Sequence, residues 1–383
     1  MLIALLLYIL IGPLPWLVLA VGAWSGHRRM NRLVSDRSPL PEPPPTLSIV
    51  VPAKDEAAGI RDCVSRVLLQ DYPGAELVVI DDRSVDGTGA ILDAMSAAEP
   101  RLKVVHVTDL PAGWLGKCHA LFVGTEKLDS EWLLFVDSDV GLKPDAARRA
   151  IALAEHRQYD ALSLMPRLVA PTFWERLLLP QLAVAWGAAF QISLTNDDTR
   201  PNHALANGQF FLIRRSWYAR VGGHGAVKDW IVEDVALMRI LKAAGARTRL
   251  MSGQHLAQTR MHADLRRMFH GWARIYAGSS GRSVWPMVSV LALLLITVAG
   301  IAIAATIIAR THDPLWTAAV ATHVAVIIGF IAWTYRVAGQ AAWHVVLLPL
   351  AWPMVMAILT YSIRVCASGK VDWRGNAVTV NRD

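Results

Sequence analysis

The sequence predicts an α/β protein with one mostly parallel sheet and with membrane helices at both ends of the chain. From Thr46 to about Leu168, apolar runs of strand length alternate with helical segments, the pattern of a parallel sheet covered on both faces. Apolar segments long enough to cross a bilayer stand at both ends. Hydrophobic residues make up 54% of the 383 residues and charged residues only 18%, and the mean hydropathy is +0.35. That balance is unusual for a soluble globular protein.

The first predicted element is a membrane anchor over residues 1–24, MLIALLLYILIGPLPWLVLAVGAW. A secretory signal peptide is the alternative, but no basic segment precedes the apolar run and no small-residue cleavage site is evident. A basic, Pro-rich linker is predicted over residues 25–45, and it contains the stiff segment SPLPEPPP. Its basic residues place the following part of the chain in the cytoplasm by the positive-inside rule, at a bacterial inner membrane: His27, Arg28, Arg29 and Arg32.

The sheet is predicted from five apolar runs, each followed by a helical or turn segment. The strands are LSIVVPA, ELVVIDD, LKVVHV, WLLFVDSD and ALSLMP. The helices are predicted over residues 60–70, 88–98, 118–128 and 144–156. In an open parallel sheet, ligands bind outside the carboxyl ends of the strands, so the polar residues that end these runs are the candidates for a site.

The second half of the chain predicts further membrane contacts. Aromatic segments at about 172–194 and 262–277 are interpreted as helices lying in the membrane interface, within a domain over residues 46–280. Three apolar segments follow within residues 284–365, and a tail occupies residues 366–383. Four spans would put both termini on one side, yet the tail is basic, so either one C-terminal segment is re-entrant or one span is wrongly assigned.

The stretch LLFVDSDVGL carries two carboxylates, Asp137 and Asp139, at the end of an apolar strand. Alternation along a strand would put both side chains on one face. Hard oxygen ligands suit Mg²⁺ or Mn²⁺, with a diphosphate completing the coordination shell. The alternative is a strand-end turn in which one Asp caps the next helix.

Two further motifs end strands with polar residues. VVPAKDE contains Pro52 and Glu56, and its alternative interpretation is an ordinary strand followed by a helix N-cap. In VIDDRSVDG, Asp82 is a candidate to hydrogen-bond a base or a ribose, whereas Asp86 and Gly87 fit a polar turn equally well.

Two motifs predict groups for phosphate binding and for proton transfer. In LPAGWLGKCHAL, a Gly-rich loop leads into a helix that carries Lys117, a combination suited to phosphate; a solvated lysine is the alternative. In DWIVEDVAL, the pair Glu233 and Asp234 lies in an apolar setting where a carboxylate can act as general base. The alternative is an acidic pair favoured by a helix N-terminus.

These five motifs, in this order, resemble those of the family 2 glycosyltransferases, which have the Rossmann-like GT-A fold. The resemblance covers roughly Thr46 to Ala277. It implies a role for each matched position: a nucleotide pocket that includes Pro52 and Glu56, a base contact at Asp82, a main metal ligand at Asp139 with Asp137 beside it, and a catalytic base at Asp234.

Within the family, GWLGK and TFWERLL are similar to the hopene-associated glycosyltransferases, and the EDVAL and GW text is similar to carotenoid and ceramide glycosyltransferases. The segment LANGQFFLIRR resembles the acceptor-side segment, which implies acceptor contacts at Asn207, Gly208 and Gln209, with Glu233 on the same side. In RRMFHGWARIY the usual Q/R-x-x-R-W motif is altered, and His270 and Trp272 are the acceptor-side candidates. The alternative is an interfacial helix whose basic residues meet lipid headgroups.

The expected function is therefore inverting, metal-dependent transfer of a sugar from a cytoplasmic UDP- or GDP-sugar to a membrane lipid. A processive polysaccharide synthase is the second enzyme hypothesis, disfavoured by the altered tryptophan motif. A non-catalytic membrane protein that binds a nucleotide-sugar is the third. The net charge of +7 follows the membrane flanks, which argues against nucleic acid as partner. The three cysteines show no metal spacing, and the sequence gives no oligomeric state.

Overall fold

A computed structural model describes residues 1–30, 36–262, 264–280, 283–373 and 376–379, with side chains up to residue 369. Arg32, Arg374 and Arg382 lie outside the described residues. The helices are α1 Leu2–Ile11, α2 Pro13–Met30, α3 Ile60–Leu68, α4 Thr88–Ser96, α5 Gly116–Thr125, α6 Ala146–Arg157, α7 Phe173–Ala189, α8 Arg215–Arg220, α9 Glu233–Ala243, α10 Leu265–Ser279, α11 Trp285–Thr311, α12 Pro314–Val337 and α13 Leu348–Ser368. The strands are β1 Leu47–Ala53, β2 Glu76–Asp82, β3 Leu102–Val107, β4 Trp132–Phe135, β5 Val140–Leu142, β6 Ala161–Met165, β7 Arg167–Leu168, β8 Phe211–Arg214, β9 Thr248–Ser252, β10 Ala257–Thr259, β11 Lys370–Trp373 and β12 Asn376–Thr379.

The chain folds into two compact units. The sheet unit contains residues 27–169 and 194–261, and the helical unit contains residues 1–26, 170–193 and 262–383. The segments predicted as interfacial helices, α7 and α10, belong to the helical unit rather than to the unit that holds the sheet.

The sheet unit is built on a seven-stranded sheet in the order β3-β2-β1-β4-β8-β6-β9. Neighbours from β3 to β4 are parallel, as are β6 and β9, whereas β8 is antiparallel to both β4 and β6. The predicted mostly parallel sheet is confirmed. Apolar side chains fill both faces, since Val50 and Val51 point to opposite sides of β1 and both are fully buried. The antiparallel β8 was not predicted.

The strands β1, β2 and β3 coincide with the predicted runs LSIVVPA, ELVVIDD and LKVVHV. The run WLLFVDSD does not form one strand, because β4 ends at Phe135. A tight turn follows, closed by the Val140 N–H, which donates to the Asp137 carbonyl oxygen at 3.2 Å. The expectation that Asp137 and Asp139 share one face of a strand is therefore wrong. The chain leaves the large sheet before it reaches them.

That turn leads into β5, which belongs to a second, three-stranded sheet in the order β5-β10-β7. Within it, β10 is antiparallel to β5, and Thr259 pairs with Val140. This small sheet brings residue 259 next to the turn that carries Asp139.

The helical unit contains the long apolar helices. Among the described residues, four segments are long and apolar enough to cross a membrane: Leu2–Met30, Trp285–Thr311, Pro314–Val337 and Ala342–Ser368. The first continues to Met30, beyond the predicted end of the anchor. Helix α7 begins with a capping box between Thr172 and Glu175 and packs against α10, α11, α12 and α13.

Candidate active site

Two loops at the carboxyl ends of neighbouring strands are tied together by hydrogen bonds. After β1, the Glu56 N–H donates to the Thr88 hydroxyl at 2.8 Å, and the Ala57 N–H donates to a carboxylate oxygen of Asp86 at 2.9 Å. Asp86, interpreted from sequence as a simple turn residue, therefore fixes the loop that carries Glu56. Its contacts with a segment about 30 residues away give no signal in the sequence.

Asp82 ends β2 and is 4% exposed. The guanidinium of Arg83 donates to both of its carboxylate oxygens, at 2.7 and 3.0 Å. The pair lies directly against the first residue of α5, since a Cβ added to Gly116 would stand 2.5 Å from Asp82 and 2.7 Å from Arg83. A glycine is therefore required where the Gly-rich loop meets the end of β2. Arg83 was not among the predicted residues.

The start of α5 is also fastened to the segment that leads into α9. The Leu115 N–H donates to the Lys228 carbonyl oxygen at 2.7 Å, and the Cys118 thiol points to the Val227 carbonyl oxygen at 3.4 Å. Because these two contacts join the start of α5 to the segment just before α9, the first turn of α5 faces the first turn of α9. The GWLGK and EDVAL motifs, separated by more than 100 residues, thus build one wall of the site.

Lys117 stands at the centre of an acidic cluster. Its ammonium lies 2.6 Å from an oxygen of Asp137 and 2.7 Å from an oxygen of Glu233. Burial would lower the pKa of Lys117, but the carboxylates of Asp137, Glu233 and Asp234 hold that pKa well above its usual range. The predicted solvated-lysine alternative is therefore wrong, since this side chain is only 24% exposed and is paired on two sides.

Asp234 lies in the first turn of α9 with both carboxylate oxygens engaged. One accepts the Gly208 N–H, and the other accepts the Val235 N–H at 2.8 Å. Burial, and then the charge of Glu233, raise the pKa of Asp234 to about 7, against the opposing effect of Lys117. A carboxylate with a pKa close to neutral pH is suited to general-base work.

A pocket open to solvent, with about 230 Å³ of empty space, unites these groups. Its lining contains six of the predicted residues and five that were not predicted. The predicted ones are Pro52, Lys117, Asp137, Gly208 and the pair Glu233 and Asp234; the others are Leu121, Phe135, Val136, Phe211 and His224.

His224 is the most notable of the unpredicted residues. It is 2% exposed, and its Nδ1 lies 2.8 Å from the Tyr218 hydroxyl. Burial, assisted by the charge of Lys117, lowers the pKa of His224 to about 3. At neutral pH it is therefore an uncharged wall of the pocket, which leaves Asp234 as the titrating base candidate.

Asp139 occupies the turn after β4, where the Thr259 hydroxyl donates to its carboxylate at 3.1 Å. Burial, and then the charge of Asp137, raise the pKa of Asp139 to about 6. Among the described residues, no group of three or more His, Cys, Asp or Glu side chains is arranged to hold a metal ion. Two neighbouring carboxylates that repel each other nevertheless fit Mg²⁺ or Mn²⁺, which proteins commonly hold by one or two carboxylates plus substrate phosphates.

The predicted acceptor-side residues do not all lie in the pocket. Of the three residues 207–209, Gly208 lines the pocket, whereas the Asn207 side chain accepts the Gln209 N–H at 2.9 Å. Gln209 is 6% exposed, and its Oε1 has no hydrogen-bond partner among the residues that the structure describes. His270 and Trp272 lie on α10, in the helical unit. His270 is exposed and packs edge-on against Tyr361, whereas Trp272 is 5% exposed.

Residues 48–222 match the model of a protein family, Glycosyl transferase family 2. This part of the chain is a family 2 glycosyltransferase domain. The chain is similar to two 4,4'-diaponeurosporenoate glycosyltransferases. The protein of Staphylococcus haemolyticus is 27% identical over 70% of this chain and 72% of its own length. The protein of Staphylococcus aureus strain MRSA252 is 26% identical over 67% of each chain. These are carotenoid glycosyltransferases, one of the classes that the motifs suggested.

A solved structure supports the fold of this glycosyltransferase. The mannosyltransferase of Pyrobaculum calidifontis, solved in complex with GDP-Man and Mn²⁺, matches with a TM-score of 0.51 and 16% identity, over 92% of this chain and 97% of that one. This likeness confirms the expected GT-A fold. The expected assignment as a glycosyltransferase is confirmed by the family model and by the similar proteins.

Proposed function

We propose that this glycosyltransferase moves a sugar from a nucleotide-sugar to a membrane lipid, with inversion and with a divalent metal ion. The observation that carries the proposal is Asp234. It is the one pocket residue among those described whose pKa lies at about 7, and it is fixed by two backbone amides. A base so placed removes the proton of an acceptor hydroxyl.

The reaction is a single displacement. As Asp234 takes the hydroxyl proton, the acceptor oxygen forms a bond to the anomeric carbon, and the bond from that carbon to the diphosphate oxygen breaks. The nucleoside diphosphate leaves with the bonding electrons, and the configuration at the anomeric carbon inverts. The Gly208 N–H orients the base, and Lys117 supplies positive charge between the base and the metal-binding turn.

Asp139, with Asp137 beside it, would hold the Mg²⁺ or Mn²⁺ ion. When bound, such an ion stabilises the negative charge that develops on a diphosphate leaving group. The Thr259 hydroxyl positions the Asp139 carboxylate. The nucleotide side of the proposal rests on Pro52, Glu56 and Asp82, and a UDP- or GDP-sugar is the proposed donor class.

A lipid acceptor is supported by the composition of the helical unit and by the relatives. Four apolar segments long enough to cross a membrane accompany the catalytic unit, and a water-soluble acceptor would not require them. The similar staphylococcal proteins are named for a carotenoid substrate. Asn207, Gln209, Glu233, His270 and Trp272 remain the proposed acceptor-side residues.

Removal of divalent metal ions is expected to abolish transfer. Protein purified in detergent and treated with EDTA should lose activity, and added Mn²⁺ or Mg²⁺ should restore it. Nuclear magnetic resonance of the product should show the anomeric configuration opposite to that of the donor. Retained configuration would contradict the single displacement, and full activity in EDTA would contradict the role of Asp139.

Gly116→Ala is expected to weaken nucleotide binding roughly tenfold, because overpacking of this kind costs about 1–3 kcal/mol. The added Cβ would overlap the Asp82–Arg83 pair. Binding of UDP and of GDP can be measured by calorimetry. The matched control is Gly59→Ala, since a Cβ at Gly59 meets no atom of the described part of the chain within 4 Å. Equal affinity in both variants would contradict a nucleotide contact at Asp82.

A further inference from the structure

The third C-terminal apolar segment determines on which side of the membrane the tail lies. Ala342–Ser368 is long and apolar enough to cross. It consists, however, of two pieces, a 3₁₀ helix over Ala342–Leu347 and then α13. The contacts of these two pieces show where each one lies between the two ends of the helical unit.

The helical unit has two ends that can be told apart along α11. One end, called here the α10 end, holds Ser280 and the first residue of α11, Trp285. The opposite end holds the short connection between α11 and α12, residues 312–313. Since α11 leaves the α10 end and α12 returns to it, positions along these two helices measure depth in the bundle.

Trp16 on α2 marks the middle of the bundle. Its Nε1 donates to the Thr297 hydroxyl of α11 at 2.8 Å. Its ring lies 6.2 Å from that of Phe330 on α12 and stacks on that of Trp352 on α13, at 5.7 Å and 7°. Thr297 is about 18 Å from Trp285 along a helix of about 40 Å, at 1.5 Å per residue. Trp352, near the start of α13, therefore lies at about half depth.

The chain reaches that depth from the α10 end. Tyr335 follows Phe330 by somewhat more than one turn of α12, on the side of the α10 end. Its ring stacks on that of His344 at 5.5 Å, and its hydroxyl donates to the Leu177 carbonyl oxygen of α7 at 2.8 Å. The 3₁₀ helix thus begins near the α10 end and rises into the bundle.

The chain also leaves by the α10 end. Tyr361 on α13 has its ring 5.5 Å from that of Phe269 on α10. Further along α13, the Cys366 sulfur lies 3.5 Å from the Ser280 hydroxyl oxygen. From Trp352 to Cys366, α13 runs about 21 Å towards the α10 end. That length is similar to the distance of Trp352 from the α10 end.

We infer that the segment from residue 338 to residue 368 is re-entrant, entering and leaving the membrane on the same face. The reversal falls at Leu347, whose φ of −91° and ψ of 10° interrupt the helix, and Pro349 starts the new one. His344 and Ala351, on either side of the reversal, are 5% and 0% exposed, so the helical unit holds the segment at both places. Between them, Val346 and Leu350 are 69% and 43% exposed, and both side chains are apolar and suited to contact with lipid.

Three segments then cross the membrane, the N-terminal one, α11 and α12. The tail lies on the same side as the end of α2, so the basic residues at both places share one face: His27, Arg28 and Arg29 with Arg364 and Lys370. By the positive-inside rule, the α10 end is cytoplasmic. This removes the conflict between four full spans and a basic tail.

Exposed tryptophans also indicate that the surface of the membrane lies at the α10 end. Trp285 is 72% exposed at the start of α11, and Trp343 is 58% exposed at the entrance of the re-entrant segment. Trp24 is 51% exposed and lies about 12 Å beyond Trp16 along α2, on the side of the α10 end. Tryptophans concentrate at the level of lipid headgroups, so these three residues place that level at the α10 end.

Labelling of single cysteines tests the inference. His312→Cys, Ala341→Cys and Ala367→Cys each place a thiol at an exposed position of the full chain, and the native cysteines are buried, so the unmodified protein is the blank. A membrane-impermeant maleimide is applied to spheroplasts and to inside-out vesicles. The thiols at 341 and 367 should be labelled only in inside-out vesicles, and the thiol at 312 only in spheroplasts.

Labelling of the thiols at 341 and 367 from opposite faces would show that α13 crosses, and would overturn the inference. An independent test uses alkaline phosphatase fused to the C-terminus. This enzyme is active only outside the cytoplasm. We expect the fusion to be inactive. An active fusion would overturn it, whatever the yield of the cysteine variants.

Discussion

Replacing Asp234 by asparagine is expected to lower turnover by about 10²–10⁴-fold, the usual contribution of a general base. Asparagine can still accept the Gly208 N–H, so the fold and nucleotide binding should persist. Turnover is measured with purified protein in detergent, and nucleotide binding is measured on the same sample. The matched control is Asp229→Asn, an exposed carboxylate just before α9, which should leave turnover unchanged.

The pH dependence follows from the raised pKa of Asp234, about 7. Since the base acts deprotonated, kcat/KM of the unmodified enzyme should fall about tenfold per pH unit below pH 7. Asp234→Asn should lose this dependence. A rate that stays flat down to pH 5, or near-normal turnover in the variant, would contradict the assignment of Asp234.

The same shift fixes the sign of a stability effect. Because the folded pKa lies above that of the unfolded chain, ionisation of Asp234 is disfavoured in the folded state, and stability is lost as pH rises from about 4 through 7. Asp234→Asn removes that loss. Its melting temperature relative to the unmodified protein should therefore be higher at pH 8 than at pH 5.

Lys117→Met is expected to impair both stability and turnover, because it leaves the carboxylates of Asp137 and Glu233 without the cation that lies 2.6 and 2.7 Å from them. Breaking a buried ion pair by removing one partner costs about 3–5 kcal/mol; Lys117 is 24% exposed, so the lower end is expected. Thermal unfolding in detergent measures the loss.

Lys117 also lowers the pKa of Asp234. In Lys117→Met the acidic limb of the kcat/KM profile should therefore move above pH 7. Lys117→Arg keeps the positive charge and should keep the limb near its original position. Lys127→Met, an exposed lysine just beyond α5, is the control and should change neither stability nor the profile. An unmoved limb in Lys117→Met would show that the two groups are not coupled.

The strands whose carboxyl ends carry candidate site residues could be predicted because each has a local sequence pattern. Buried parallel strands have continuous apolar runs, and polar residues mark where each run ends, as in LSIVVPA and ELVVIDD. β8 escaped prediction because it has only four residues, Phe211–Arg214, and its direction depends on its neighbours. Antiparallel insertion into a parallel sheet leaves no periodic signal.

The sequence indicates candidates for the site but not the contacts between them. Motif order singles out Lys117, Asp234 and the pair Asp137 and Asp139, yet it does not connect one motif with another. The structure adds the contacts that join them, such as Lys117 with Glu233 and Asp139 with Thr259. These partners are more than 100 residues apart. His224 was missed because a histidine in a Gly-rich segment has no helical or strand pattern that points into a pocket.

The most direct test of the central claim is transfer of sugar into lipid. Purified protein in detergent, with host lipid extract and Mn²⁺, would be offered a panel of radiolabelled UDP- and GDP-sugars, and the organic phase would be counted. We expect label in that phase from at least one donor, and we expect it to be lost in Asp139→Ala and in Asp234→Asn. Label found only in insoluble polymer would indicate a processive synthase, and saturable donor binding without transfer would indicate a non-catalytic binding protein. Either result would contradict a lipid glycosyltransferase.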